Sequence, residues 1–165
     1  MMKNKQSGKT EHSGEKSIVA LDQSTLPWSL LLDADPEEEN VQRYIDQGSG
    51  FIWKAENDIQ GVIVFLTNKL VFEIMNLAVA PKVQGQGIGY ALLTHTLKEM
   101  KKLKNTQQQV IIRTGSTSSA ALQLYKKIGF LEISREKDYF VKNYKQPIYE
   151  NGQRLRDQVT LAKKI

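Results

Sequence analysis

Apolar residues along this chain fall into two patterns. Short runs bounded by turn residues predict strands over residues 17–22, 51–55, 60–66, 71–79 and 110–114, with later ones near 139–142 and 158–162. The turn Glu56-Asn57-Asp58 joins the second and third of these. Helical spacing governs residues 88–103, where Ile88, Leu92, Leu93, Leu97, Met100 and Leu103 share a face with Thr96. His95 falls outside that stripe and reads as a margin histidine, not a base. A second helix is expected from about Ser118 to Ile128, stopped by Gly129 with apolar Phe130 beyond it. A short apolar helix over 26–32 contains Trp28, and a further helix begins with Asp35 as N-cap, Pro36 in first position and Glu37–Glu39 in the first turn. Capping accounts for most of the acids in Asp33–Glu39; the competing reading is a patch that attracts a cationic acceptor. Residues 147–152 read as a loop. Strands first, then alternating helix and strand, give an α/β protein: a mixed sheet with helices on both faces.

The turn between strand 71–79 and helix 88–103 reads Gln84-Gly-Gln-Gly-Ile-Gly89. A strand, a glycine-rich turn and a helix N-terminus make a seat for phosphate, because backbone N–H groups approach the anion closely and the helix adds unpaired amides and the positive end of its dipole. The spacing excludes a Walker A loop, since Tyr90 and Ala91 follow Gly89 where Lys and Ser or Thr are needed. It also excludes a dinucleotide fingerprint, because the glycines alternate at 85, 87 and 89. A plain tight turn is the remaining alternative.

Composition narrows the classes. At 165 residues, 40% apolar and 25% charged, the chain suits one domain over 17–165 behind a polar leader over 1–16 that lacks the apolar core of a signal peptide. No apolar run approaches the ~20 residues of a membrane span. Zero cysteines exclude disulfides, thiol catalysis and cysteine metal sites, and fit a cytoplasmic location. His12 and His95 offer no metal constellation. The net charge of +5 suits a polyanionic ligand. Nucleic acid is not expected: Lys98, Lys101, Lys102 and Lys104 lie on the outer face or end of a helix with no interleaved aromatics. A homodimer is compatible with the pattern and not required by it.

The segment Leu77-Ala-Val-Ala-Pro-Lys-Val-Gln84-Gly-Gln-Gly-Ile-Gly-Tyr-Ala-Leu-Leu93 resembles the acyl-CoA-binding segment of the GNAT N-acetyltransferase superfamily, whose pattern of Gln or Arg, two residues, Gly, one residue, then Gly or Ala is met by Gln84, Gly87 and Gly89. Ser118-Ser-Ala-Ala121-Leu-Gln-Leu-Tyr125-Lys-Lys-Ile-Gly129-Phe130 resembles the family's second motif, with Ser118 standing where Asn is frequent. The tail Pro147–Gly152 is similar to that of small bacterial members. The resemblance implies the acyl-CoA N-acyltransferase fold, acetyl-CoA as co-substrate with no metal, and transfer to a primary amine; a non-catalytic acyl-CoA-binding module is the alternative. It implies that Gln84, Gly85, Gln86, Gly87, Ile88, Gly89 and Tyr90 cradle the pyrophosphate. It also implies that Leu77, Ala78 and Val79 flank the pantetheine arm with their amides facing the oxyanion, and that Ser118 lies near that arm.

Such transfer needs a neutral amine, yet an amine with a pKa near 10.4 is neutral in only about one molecule in 2,500 at pH 7. A base must take the proton, N–H donors must face the oxyanion, and an acid eases departure of the thiolate. The resemblance assigns the acid to Tyr125, although Ala121, Leu124, Tyr125 and Ile128 also form a helical stripe that would bury it as core. Glu73 is the candidate base, a carboxylate in a largely apolar strand, with a strand-end acid beside the pocket mouth as the alternative. Asn76 is the second polar exception there. Lys126 and Lys127 near a helix C-terminus are explained by the dipole. Acceptor choice is expected to rest on the loops around Trp28–Glu39 and Tyr144–Gln153.

Overall fold

The structure, a computed structural model, describes residues 14–165. The leader expected over 1–16 lies outside the described residues up to residue 13, and Lys16 already belongs to the first strand. Strands β1 (Lys16–Ala20), β2 (Ser49–Ala55), β3 (Asp58–Thr67) and β4 (Val71–Val79) form an antiparallel run. β5 (Gln109–Gly115) joins β4 in parallel. β6 (Leu131–Glu136) and β9 (Gln158–Lys164) complete a seven-stranded sheet in the order β1-β2-β3-β4-β5-β9-β6.

β3 shows why the sheet needs covering on both faces. Val62, Ile63, Val64 and Phe65 are all buried, and they alternate between two cores. Ile63 and Phe65 pack with α3 (Ile88–Leu103) and α4 (Ser119–Ile128), while Val62 and Val64 pack with α1 (Trp28–Ala34) and α2 (Glu38–Gln47). Each fully buried aromatic or aliphatic side chain contributes roughly 1.5–3 kcal/mol, so the two faces together hold the sheet. The α3 stripe is buried as its spacing predicts, except that Leu103 is exposed. Gly129 ends α4 in the left-handed conformation at φ 107°, and the Phe130 N–H returns to the Tyr125 carbonyl at 3.0 Å. No helix among the described residues is long and apolar enough to cross a membrane.

Three expectations are corrected. The second helix begins at Glu38 with Glu37 at its N-cap, so Asp35 is not the cap and Pro36 lies ahead of the helix. Asp35 instead accepts the Glu37 N–H at 3.3 Å. Residues 139–142 are not a strand: α5 (Tyr139–Asn143) is a short helix in which Tyr139 meets Phe140 edge to face and Phe140 lies tilted against Tyr144. The loop 147–152 contains half of a hairpin, β7 (Tyr149–Glu150) with β8 (Gln153–Arg154), turned by Asn151 and Gly152 at φ 51° and 76°.

Candidate active site

β4 and β5 are paired only from Val71 with Gln109 to Ile74 with Ile112. Beyond that point both strands continue unpaired to each other, to Val79 and Gly115. The parting coincides with a break in the β3–β4 register between Val64 and Phe65, where Met75 is the extra residue. An extra residue bends and twists its strand and re-aims side chains. Met75 and Asn76 consequently both face α1 and α2, whereas Leu77 faces α3 and α4.

The parting frees backbone groups. Ala80 N–H bonds to Gln60 on the β3 side at 2.8 Å, while the Val79 carbonyl takes the Gln84 side-chain amide at 2.9 Å. Alternation along a strand then turns the Leu77 and Val79 N–H groups away from β3, toward the gap that β5 has left. These are donors of the kind an oxyanion requires.

The gap opens into a cleft of about 1530 Å³, larger than the ~300–1,000 Å³ of an ordinary small-ligand site and roomy enough for two reactants. Glu73, Asn76, Leu77, Ser118 and Tyr125 all line it. Residues 84–90 do not; they form the adjoining turn and the start of α3. Gly85 and Gly87 are left-handed at φ 76° and 85°, and a Cβ at either would meet nothing within 4 Å. Gly87 is the N-cap of α3 and supplies no side chain, so the first amides of the helix face outward unbonded by a cap. Gly89 has a different role: a Cβ there would touch Leu124 at 3.4 Å, so its smallness lets α3 approach α4. The Ile88 side chain is core and Tyr90 is exposed, with the Lys127 ammonium 5.2 Å over its ring. Ala78 is buried on the α1–α2 face.

Tyr125 is buried against Phe130, and burial, reinforced by the charge of Glu150, pushes its phenol well above the ordinary tyrosine range. It therefore holds its proton at neutral pH, the state that can donate. Glu73 has a partner: Arg113, reaching over from β5, forms an ion pair with its carboxylate. Ser118 does not cap α4; its hydroxyl donates to Glu150 at 2.5 Å, tying the tail hairpin to the helix start. His95 is half-buried against Phe51 and lies outside the cleft lining.

The structure adds Tyr44, which spacing did not single out, to residues of the two loops expected to govern acceptor choice. In the cleft wall Tyr44 bonds to Asn76 and Tyr144 to Asp35, and the Asp35 charge bears on Tyr44. Asn76 donates to the Leu31 carbonyl at 2.9 Å and the Tyr44 hydroxyl at 2.8 Å, leaving its Oδ1 without a partner among the described residues. A buried oxygen left unpaired costs about 1–3 kcal/mol. The Tyr144 hydroxyl donates to Asp35 at 3.3 Å, and Lys145 N–H donates to Glu37 at 3.2 Å, so the tail crosses to the α1–α2 connection. Burial raises the Asp35 carboxyl above the usual carboxylate range and pushes the Tyr44 phenol up to about 12. Burial likewise raises Tyr144, with the Asp35 charge adding to it. The sequence signals for this corner were the polar Asn76 in an apolar strand, the acids before the second helix and the tail loop from Tyr144. Around the cleft stand eight carboxylates (Asp33, Asp35, Glu37, Glu38, Glu39, Glu73, Glu136, Glu150) against Arg43, Arg113 and Lys145.

Comparison with known proteins agrees with this geometry. The family model for the acetyltransferase (GNAT) domain matches residues 31–143. The chain is 36% identical over 135 residues to YvbK of Bacillus subtilis, an uncharacterised N-acetyltransferase, covering 81% of this chain and 86% of the relative. A GNAT acetyltransferase from Elizabethkingia anophelis, solved with acetyl-CoA bound, superposes with a TM-score of 0.84 at 35% identity, over 91% of this chain and 98% of that one. A Bacillus subtilis acetyltransferase in complex with CoA superposes with a TM-score of 0.83 at 32% identity, over 92% and 99%. With strands that part beside a glycine turn, and with relatives of this kind along most of its length, the chain belongs to the GNAT family of acetyltransferases.

Proposed function

We propose that this enzyme acetylates a primary amine directly from acetyl-CoA, with both reactants held at once. The observation that carries the reading is the parting of β4 and β5 beside the glycine turn, which turns the Leu77 and Val79 amides toward the gap, with Leu77 and Tyr125 in the lining of the cleft. The relatives solved with acetyl-CoA and with CoA support the choice of co-substrate. So does the turn itself, where open space over left-handed Gly85 and Gly87 fits a pyrophosphate and a Cβ would intrude on it.

Acetyl-CoA supplies the activated acyl group; this chain's residues do the rest. Main-chain amides of Gln84–Tyr90 hold the pyrophosphate, with Gln84 itself fastened to Val79. Leu77, Ala78 and Val79 flank the pantetheine arm, and Ser118 stands at the α4 end of the same cleft. The Leu77 and Val79 N–H groups stabilise negative charge developing on the acyl oxygen. Glu73, which lines the cleft, accepts the ammonium proton directly or through a water. Tyr125 gives its proton or a hydrogen bond to the departing sulfur. With zero cysteines in the chain no acyl-cysteine forms, so the amine attacks the thioester itself.

The test is thiol release on mixing the protein with acetyl-CoA and a panel of amines, alongside calorimetric titration of the coenzyme. Turnover with at least one amine is expected. Coenzyme binding with no turnover across the panel would instead indicate a non-catalytic acyl-CoA-binding module.

A further inference from the structure

We infer that the amine acceptor is a small di- or polyamine, and that Asp35, Tyr44, Asn76 and Tyr144 form the seat of its second ammonium. The inference rests on the acetyl-transfer reading above and names the class of acceptor.

Four elements converge on this corner: the α1–α2 connection through Asp35, α2 through Tyr44, the bulged part of β4 through Asn76, and the tail through Tyr144. Asn76 is 3% exposed and lies in the cleft wall. Its orientation is fixed, because the NH₂ must face the Leu31 carbonyl, which can only accept. The oxygen is therefore the end left without a partner among the described residues. An ammonium is the complement of such a corner, having three donors and no acceptor, whereas a carboxylate or phosphate would meet acceptors and like charge.

Charge points the same way. The chain as a whole carries +5, yet carboxylates outnumber cations around the cleft, and one of those cations, Arg113, is committed to Glu73. The wall selects against the sign of the coenzyme and for a cationic partner.

The corner is distinct from the reacting end. A nitrogen that attacks must sit by the Leu77 and Val79 amides and the Tyr125 hydroxyl, on elements toward α3 and α4. Asp35 and Asn76 stand on the α1–α2 side of β4. A molecule engaging both needs a nitrogen at each end of a chain, and Met75 and Phe140 give the cleft apolar wall for methylenes between them.

The experiment uses n-butylamine, 1,4-diaminobutane and spermidine. Each is titrated calorimetrically into CoA-loaded protein, wild type and Asp35→Asn, and each is assayed as acceptor with acetyl-CoA. Asparagine still accepts from the Glu37 N–H and the Tyr144 hydroxyl, so the local fold is kept, and an unchanged coenzyme affinity verifies it. The expected result is diamine binding about tenfold tighter than the monoamine, with that advantage removed in Asp35→Asn, the size of effect that one hydrogen bond to a charged group carries. Equal binding of monoamine and diamine, or an equal loss of both in the variant, overturns the inference. Diamine binding with the expected Asp35 dependence but no acetylation counts against the proposed reaction and leaves the cation seat standing.

Discussion

Gly87 offers the sharpest test of the phosphate seat, because its folding role and its binding role separate. It is left-handed at φ 85°, with open space where a Cβ would go, so Gly87→Val meets no atom of the protein within 4 Å of that Cβ. The folding cost is then conformational, about 1–2 kcal/mol for a non-glycine residue held left-handed. Against a total stability of roughly 5–15 kcal/mol the fold persists, and the melting temperature falls by about 2–8 °C. The isopropyl group, however, projects into the open space where the proposed site would receive the pyrophosphate. Coenzyme A affinity should drop by at least about 100-fold, equivalent to ~2.7 kcal/mol. Gly152→Val is the control: it is also left-handed, at φ 76° with nothing within 4 Å, but it lies in the tail hairpin. It should lose similar stability and keep coenzyme affinity. Calorimetric titration with coenzyme A and thermal unfolding of both variants read the two effects apart. Coenzyme affinity within about twofold of wild type in Gly87→Val, an energy change near 0.4 kcal/mol, would refute the reasoning; equal loss in Gly152→Val would show that the effect belongs to no particular turn.

Three further predictions use other parts of the site. Tyr125→Phe should lower kcat by about 10²–10⁴ with coenzyme affinity nearly unchanged, measured by thiol release, and an undiminished kcat would remove the tyrosine from the mechanism. Asp35→Asn should match or exceed wild-type stability at neutral pH. Burial raises the folded Asp35 pKa above its unfolded value, so ionisation there opposes folding as pH rises through the folded pKa, and the difference between the proteins should vanish in acid, where both side chains are neutral. Melting curves from acid to neutral pH check this, and a variant less stable at neutrality contradicts it. Asn76→Asp should cost about 2 kcal/mol or more, since it removes the donor to Leu31 and Tyr44 and sets a carboxylate against a carbonyl. Urea unfolding reads that loss as a lower midpoint.

Much of the fold was legible because burial and periodicity coincide in the elements around the turn. β3, β4 and α3 bury the residues that their patterns assign inward. Gly129 and Phe130 ended α4 as expected, since a left-handed stop followed by an apolar anchor is a local signal. The edge strand β1 was legible too, but β6 and α5 were not. β6 is exposed along its whole length, Leu131 and Ile133 included, so no buried face shaped its sequence into a strand pattern. Tyr139-Phe-Val carries strand propensity, yet it forms a turn of helix that sets Phe140 against Tyr144. For the acids before α2 the sequence favours capping over a patch for a cationic acceptor, yet Asp35 is not the cap and these acids line the cleft. The bulge at Met75 has no sequence signature, and with it went the direction of Asn76 and the pairing of Glu73 with Arg113.

The place of β9 has a consequence for how the molecule is assembled. β6 has no sheet neighbour except β9, and β5 has only β4 until β9 arrives. Segment 158–164 thus fills the space between two strands, and the tail before it is held separately, by Tyr144 on Asp35, Lys145 on Glu37 and Glu150 on Ser118. A cut in the exposed hairpin around 149–154 would leave β9 still paired with β5 and β6, so limited proteolysis there should give two fragments that stay associated.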